Sequence, residues 1–131
     1  MSEKGNILKL DGSSIFDIWQ KGSECDKVTD SKEPTSLPPM EHTDKFQILV
    51  DIMCRKLQME FHSNVNYSKD ITAKRFVMSP NNFVINHSQN QCYGQENLVS
   101  GLPNGIFSIA KCAQGSPMVV SSPHFLNGDN W

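Results

Sequence analysis

Apolar residues fall along this chain in short clusters separated by turn-forming residues, a spacing that predicts many brief strands rather than a few long helices. The pairs Ile7-Leu8, Ile15-Phe16 and Ile18-Trp19, set among Gly5 and Gly12, read as brief strands joined by turns. From Gly22 to Thr43 the chain is polar and carries Pro34, Pro38 and Pro39, which excludes a regular helix or central strand and predicts a loop over 22–43. So long a loop inside a compact domain needs a function or a tether, and Cys25 stands near its start. Phe46 to Phe61 carries two patterns at once. Phe46, Leu49, Val50, Met53, Leu57 and Phe61 follow a helical stripe, which periodicity slightly favours, while residues 57–61 alternate as a strand does. Arg75–Met78 and Phe83–Ile85 read as short β runs split by the turn Ser79-Pro80-Asn81-Asn82. Gly101-Leu102-Pro103-Asn104-Gly105 is a further turn, and Pro117–Ser121 predicts a strand that starts at its proline and stops at Ser122-Pro123. The sum is a mainly β, antiparallel architecture.

Length and composition add limits. The 131 residues suit one domain with a single core, and 37% hydrophobic with 20% charged residues is a globular composition. No apolar stretch approaches the roughly 20 residues of a spanning helix. Met1–Asn6 lacks the basic start and apolar run of a secretory signal, so the expectation is either a cytosolic chain or a true beginning further upstream. Twelve basic against fourteen acidic residues, with no basic run longer than two, exclude electrostatic capture of nucleic acid. The pairs Arg55-Lys56 and Lys74-Arg75 read as solvated faces or ion-pair partners, being too few for a lipid-headgroup patch.

Cys25, Cys54, Cys92 and Cys112 lie far apart, without the C-x-x-C or Cys/His doublets of a tetrahedral zinc site, so no metal or other cofactor is expected. By count alone, two disulfides and four buried thiols fit equally, and the three possible connectivities stay open. Asn66-Tyr67-Ser68 and Asn86-His87-Ser88 are glycosylation acceptor patterns in polar, turn-like surroundings. Together with the cysteines they favour an oxidising, glycosylating compartment.

Catalytic patterns are weak. Ser121 or Ser122 with His124 and Asp129 would make a hydrolase set, but no G-x-S-x-G elbow frames either serine. Cys54 beside Arg55, with His62 as base, would make a thiol nucleophile, yet nothing singles out His62 for that role. His42, His62, His87 and His124 are scattered and adjoin no phosphate loop or paired acids. The expectation is a protein that is not an enzyme.

The segment from Gly105 to Phe125 holds a Gly-aliphatic start, the step Ser108-Ile109-Ala110-Lys111-Cys112, the strand entry Gly115-Ser116-Pro117 and the end Ser121-Ser122-Pro123-His124-Phe125. This segment resembles a signature of the class B scavenger receptors. Asp51-Ile52-Met53-Cys54-Arg55 is similar to that family's Asp-x-Cys-Arg step. Arg75–Phe83 is similar to its Arg-Phe-x-x-Pro segment, with the proline displaced by one, and Cys25 followed by Leu37-Pro38-Pro39 also fits. After Cys25 the chain reads Asp26-Lys27-Val28-Thr29-Asp30, which lacks a glycosylation site common in relatives.

The resemblance implies bridges Cys25–Cys92 and Cys54–Cys112, without the third, short bridge of many relatives. It turns the ambiguous stretch into strand, Cys54-bearing turn and strand. It implies that residues 1–131 are the middle of an ectodomain: an incomplete domain, part of an antiparallel β-barrel-like core with short helices, whose membrane spans lie outside this chain. The implied function is binding of lipoproteins, modified lipids or fatty acids and their uptake or transfer to a plasma or lysosomal membrane, with this segment extracellular or lumenal. A barrel wall would turn Met118 and Val120, or Val119 alone, toward an apolar tunnel. The alternative is a soluble carrier of an apolar ligand.

Overall fold

The computed structural model describes residues 5–40, 42–95 and 103–129. Within them the chain is mainly β, in two antiparallel sheets: β1 (Lys45–Val50), β2 (Arg55–Ser68) and β3 (Ile71–Met78) in sequential order, and β4 (Ile106–Ser108) paired with β5 (Val119–Ser121). The sheets do not close into a barrel among the described residues, and the four helices described in full are single 3-10 turns.

The stretch with two patterns resolves as strand, turn and strand. A helical stripe needs unbroken turns, and Cys54 ends the 3-10 turn Asp51–Met53 in the left-handed region at φ 47°. That conformation is held from three sides. The Cys54 N–H donates to the Asp51 carbonyl at 2.9 Å, its own carbonyl accepts the Trp19 indole N–H at 2.5 Å, and its sulfur is bridged to Cys112.

Three expectations are corrected. The early apolar pairs form no strands, only isolated bridges such as Asn6 to Lys32 and Ile15 to Lys27. Phe83-Val84-Ile85 is not a strand: Pro80–Phe83 is a 3-10 turn whose Ser79 hydroxyl accepts the Asn81 N–H. Asn82 then completes the ladder in the strand's place, its Oδ1 accepting from Gln58 N at 2.8 Å and its Nδ2 donating to Gln58 O at 3.0 Å. The strand expected from Pro117 begins two residues later, because Met118 N–H turns back to Ser116 O. Of the predicted turn at 101–105, Gly101 and Leu102 lie outside the described residues, while Asn104 and Gly105 form a turn.

Among its described residues the segment 22–43 has no helix or strand, yet it is pinned. Cys25, Asp26, Val28 and Ser31 are almost wholly buried. Asp26 Oδ1 accepts the N–H groups of Ile18 and Trp19, each at 3.1 Å, and Lys32 exchanges backbone hydrogen bonds with Gln47 and Leu49 of β1. The core gathers Trp19, Cys25, Met53, Leu57, Phe83, Tyr93, Phe107 and Ile109 from almost every part of the chain.

Candidate functional site

The four cysteines meet in pairs. Cys25–Cys92 and Cys54–Cys112 are disulfides with Cα separations of 5.8 and 5.7 Å, within the ordinary range. They span 67 and 58 residues and interlace, so the loop, the first sheet and the second sheet are tied into one body.

Between them lies a residue that sequence reasoning misplaced. Arg55 is 2% exposed and Lys56 5%, so neither lies on a solvated face, and among the described residues neither pairs with a carboxylate. The Arg55 guanidinium sits over the rings of Phe107 and Tyr93, 4.2 and 4.3 Å from their centroids, with Phe83 at 5.6 Å. Trp19 meets Tyr93 edge-on at 5.0 Å and closes the cluster. Guanidinium Nη2 donates to Asn90 Oδ1 at 3.2 Å and Nε to the Lys56 carbonyl at 3.4 Å, while Nη1 has no hydrogen-bond partner among the described residues. Three π faces thus stand where a counter-ion would be expected, the arrangement a weakly hydrated planar cation tolerates best. Lys56 Nζ donates to the Thr29 carbonyl at 3.1 Å and so fastens the 22–43 segment. Lys74-Arg75, by contrast, is on an exposed strand, with the Lys74 ammonium 5.3 Å from the Phe61 ring centroid.

Burial pushes the Tyr93 phenol pKa up, partly opposed by the neighbouring Arg55 cation, and pulls those of Arg55 and Lys56 down. The signs of Tyr93 and Lys56 oppose each other in stability. A raised Tyr93 pKa contributes stability that is complete below about pH 10, the unfolded phenol's value, and is lost as pH rises through the folded value. A depressed Lys56 pKa instead adds stability as pH climbs toward the unfolded lysine's value of about 10.4. Tyr93→Phe is therefore expected to flatten the fall in stability above about pH 10. Urea midpoints measured from pH 8 to 11 check this, and parallel curves for the two proteins would refute it.

The other candidates disperse. Asn66 lies near the tip of the β2–β3 hairpin, which is exposed from Asn64 to Arg75, and Asn86 is in an exposed turn. Both Ser68 and Ser88 are exposed too. Asp129 is engaged by Asn104, whose backbone N–H donates to one carboxylate oxygen at 2.9 Å and whose Nδ2 donates to the other at 3.3 Å. The Ser121 hydroxyl donates to the Ser122 carbonyl, His124 is exposed, and His62 contacts Ser63. Cys54 has no free thiol. Met118 and Val119 are 48% and 54% exposed, while Val120 packs on the core.

Two apolar depressions mark the surface. One, of about 240 Å³, lies between the end of β3 and the segment after β5, lined by Val77, Met78, Phe83, Pro123, Leu126 and Asn127. The other is an open groove of about 520 Å³ lined by Leu37, Pro38, Met40, Ala73, Lys74 and Phe76. No helix among the described residues is long and apolar enough to cross a membrane, and no group of His, Cys, Asp or Glu there could hold a metal ion.

Comparison with known proteins gives a consistent result. Sensory neuron membrane protein 1 of Bombyx mori is 29% identical over 126 residues, 95% of this chain and 23% of that protein. The Antheraea polyphemus protein of the same name is 30% identical over 125 residues, again 95% of this chain and 23% of the relative. That of Plutella xylostella is 27% identical over 127 residues, 95% and 22% of the two chains. The chain thus spans less than a quarter of the length of these relatives. The CD36 family model matches residues 1–131, the interval that holds the interlaced bridges and the Ser122-Pro123-His124-Phe125 end. From first residue to last, then, this chain belongs to the CD36 family, the class B scavenger receptors its motifs resemble.

Proposed function

We propose that this chain is a disulfide-tied scaffold within the extracellular or lumenal part of a membrane receptor that binds lipids or lipoprotein particles and passes lipid to the membrane. The observation that carries this reading is the family match over the whole chain. Two bridges and two exposed acceptor asparagines, Asn66 and Asn86, support an oxidising and glycosylating compartment. Spans outside these residues anchor the protein in the plasma or lysosomal membrane, and the apolar groove and cleft belong to the lipid-handling surface.

Cells expressing the full-length protein are expected to accumulate a fluorescent long-chain fatty acid or labelled lipoprotein faster than vector controls. Asn66→Gln and Asn86→Gln should each raise the protein's gel mobility by one glycan. Surface-expressed, glycosylated protein with no uptake of either probe would overturn the lipid reading and leave the compartment standing. Unmodified asparagines in both sequons would overturn the glycosylation assignment.

A further inference from the structure

Two Asn-Gly pairs, Asn104-Gly105 and Asn127-Gly128, lie back to back, and the fold treats them differently. The Asn104 carboxamide is pinned at both ends: its Oδ1 accepts the Ile85 N–H at 3.0 Å, and its Nδ2 donates to Asp129 Oδ1 at 3.3 Å. Asn127 is exposed, has a backbone φ of 64°, and its carboxamide makes no hydrogen bond among the described residues. We propose that Asn127-Gly128 is a site of spontaneous deamidation and isoaspartate formation, and that the fold protects Asn104-Gly105 from the same reaction.

The reaction needs no enzyme and no oxidant. The Gly128 backbone nitrogen attacks Asn127 Cγ, the new N–Cγ bond forms, the Cγ–Nδ2 bond breaks, and ammonia leaves carrying the proton lost by Gly128. Water then opens the cyclic imide at one carbonyl to give aspartate or at the other to give isoaspartate. Glycine on the following side favours attack because no Cβ screens the nitrogen. Both glycine N–H groups are engaged, Gly105 with Phe83 O and Gly128 with Phe125 O, each at 2.9 Å, so hydrogen bonding of the attacking nitrogen does not discriminate between the pairs. Side-chain freedom does. Ring closure swings Cγ onto the next nitrogen, which Asn104 can do only by breaking its bonds to Ile85 and Asp129.

The product changes its surroundings in two ways. A carboxylate replaces a neutral amide in the wall of the cleft beside Leu126. Isoaspartate also runs the main chain through the side chain and lengthens the link from Leu126 to Gly128. There is no slack for it: a Cβ built on Gly105 would come within 2.4 Å of Gly128 Cα. Ageing at Asn127 thus places charge in an apolar cleft and loosens the segment that forms its lip.

The test is incubation of the folded, disulfide-intact protein at mildly alkaline pH. Peptide mapping reads the amide-to-acid mass gain, and enzymatic methylation reads isoaspartyl groups. Asn127 should convert at least about tenfold faster than Asn104, since each of the two hydrogen bonds Asn104 must break to reach the reactive geometry is worth roughly fivefold. Asn127→Gln should abolish the signal from that peptide, and in the reduced, denatured chain the two sites should convert at similar rates. Three results would overturn the proposal: Asn104 converting as fast as Asn127 in the folded protein, no conversion at Asn127 there, or the folded-state ratio persisting after denaturation.

Discussion

Replacing all four cysteines with alanine, or reducing both bridges, is expected to unfold the chain at neutral pH. In the chain-entropy model loops of 67 and 58 residues each restrict the unfolded state by about 4 kcal/mol. Domains of ordinary size keep only about 5–15 kcal/mol of net stability, so losing both removes from about half of it to all of it. The bridges also pin what little regular structure could not hold: the 22–43 segment through Cys25 and the left-handed turn through Cys54. Single-bridge variants, Cys25→Ala with Cys92→Ala or Cys54→Ala with Cys112→Ala, should retain a cooperative transition at lower denaturant. Circular dichroism across a guanidinium titration, with and without reductant, reads the result. A reduced chain with an unchanged midpoint would show that the bridges are incidental to the fold.

Arg55 should give the second large effect, and its variants should rank in an order that separates volume from charge. Arg55→Ala opens a hole among Phe83, Tyr93 and Phe107 and leaves Asn90 Oδ1 without its donor; truncations of this kind cost about 2–5 kcal/mol. Arg55→Met fills most of the volume without a buried charge and should stay within about 1.5 kcal/mol of the natural protein. Arg55→Lys keeps the charge but cannot lie flat between two rings, so it should fall between them. Denaturant midpoints with the disulfides intact decide the matter. If methionine proves as damaging as alanine while lysine is tolerated, the cation itself is required and the volume argument fails.

The parts of this structure that sequence made legible are those with a local or motif-borne cause. Ser79-Pro80-Asn81-Asn82 turns because proline and a capping hydroxyl act within a few residues, and Val119–Ser121 pairs because β-branched residues lie between the turn at Gly115 and Pro123. The strand, turn and strand around Cys54 came from family resemblance against the helical periodicity, since the bridge and the Trp19 bond that hold the turn come from distant residues. Arg55 was illegible for the same reason. Its three rings come from positions 83, 93 and 107, and nothing within a window of sequence announces that they converge. Phe83 misled because aromatic and β-branched neighbours imitate a strand, while the fold uses one asparagine side chain, Asn82, in place of a strand's backbone.

The interlacing of the two bridges has a topological consequence. Cys25 and Cys92 embrace Cys54, and Cys54 and Cys112 embrace Cys92, so a cut anywhere between residues 25 and 112 leaves both pieces joined. Cuts in any two of the intervals between successive cysteines still leave every cysteine-bearing piece in one molecule. The exposed β2–β3 hairpin can therefore be nicked by a protease without the chain coming apart, and only reduction would reveal the damage.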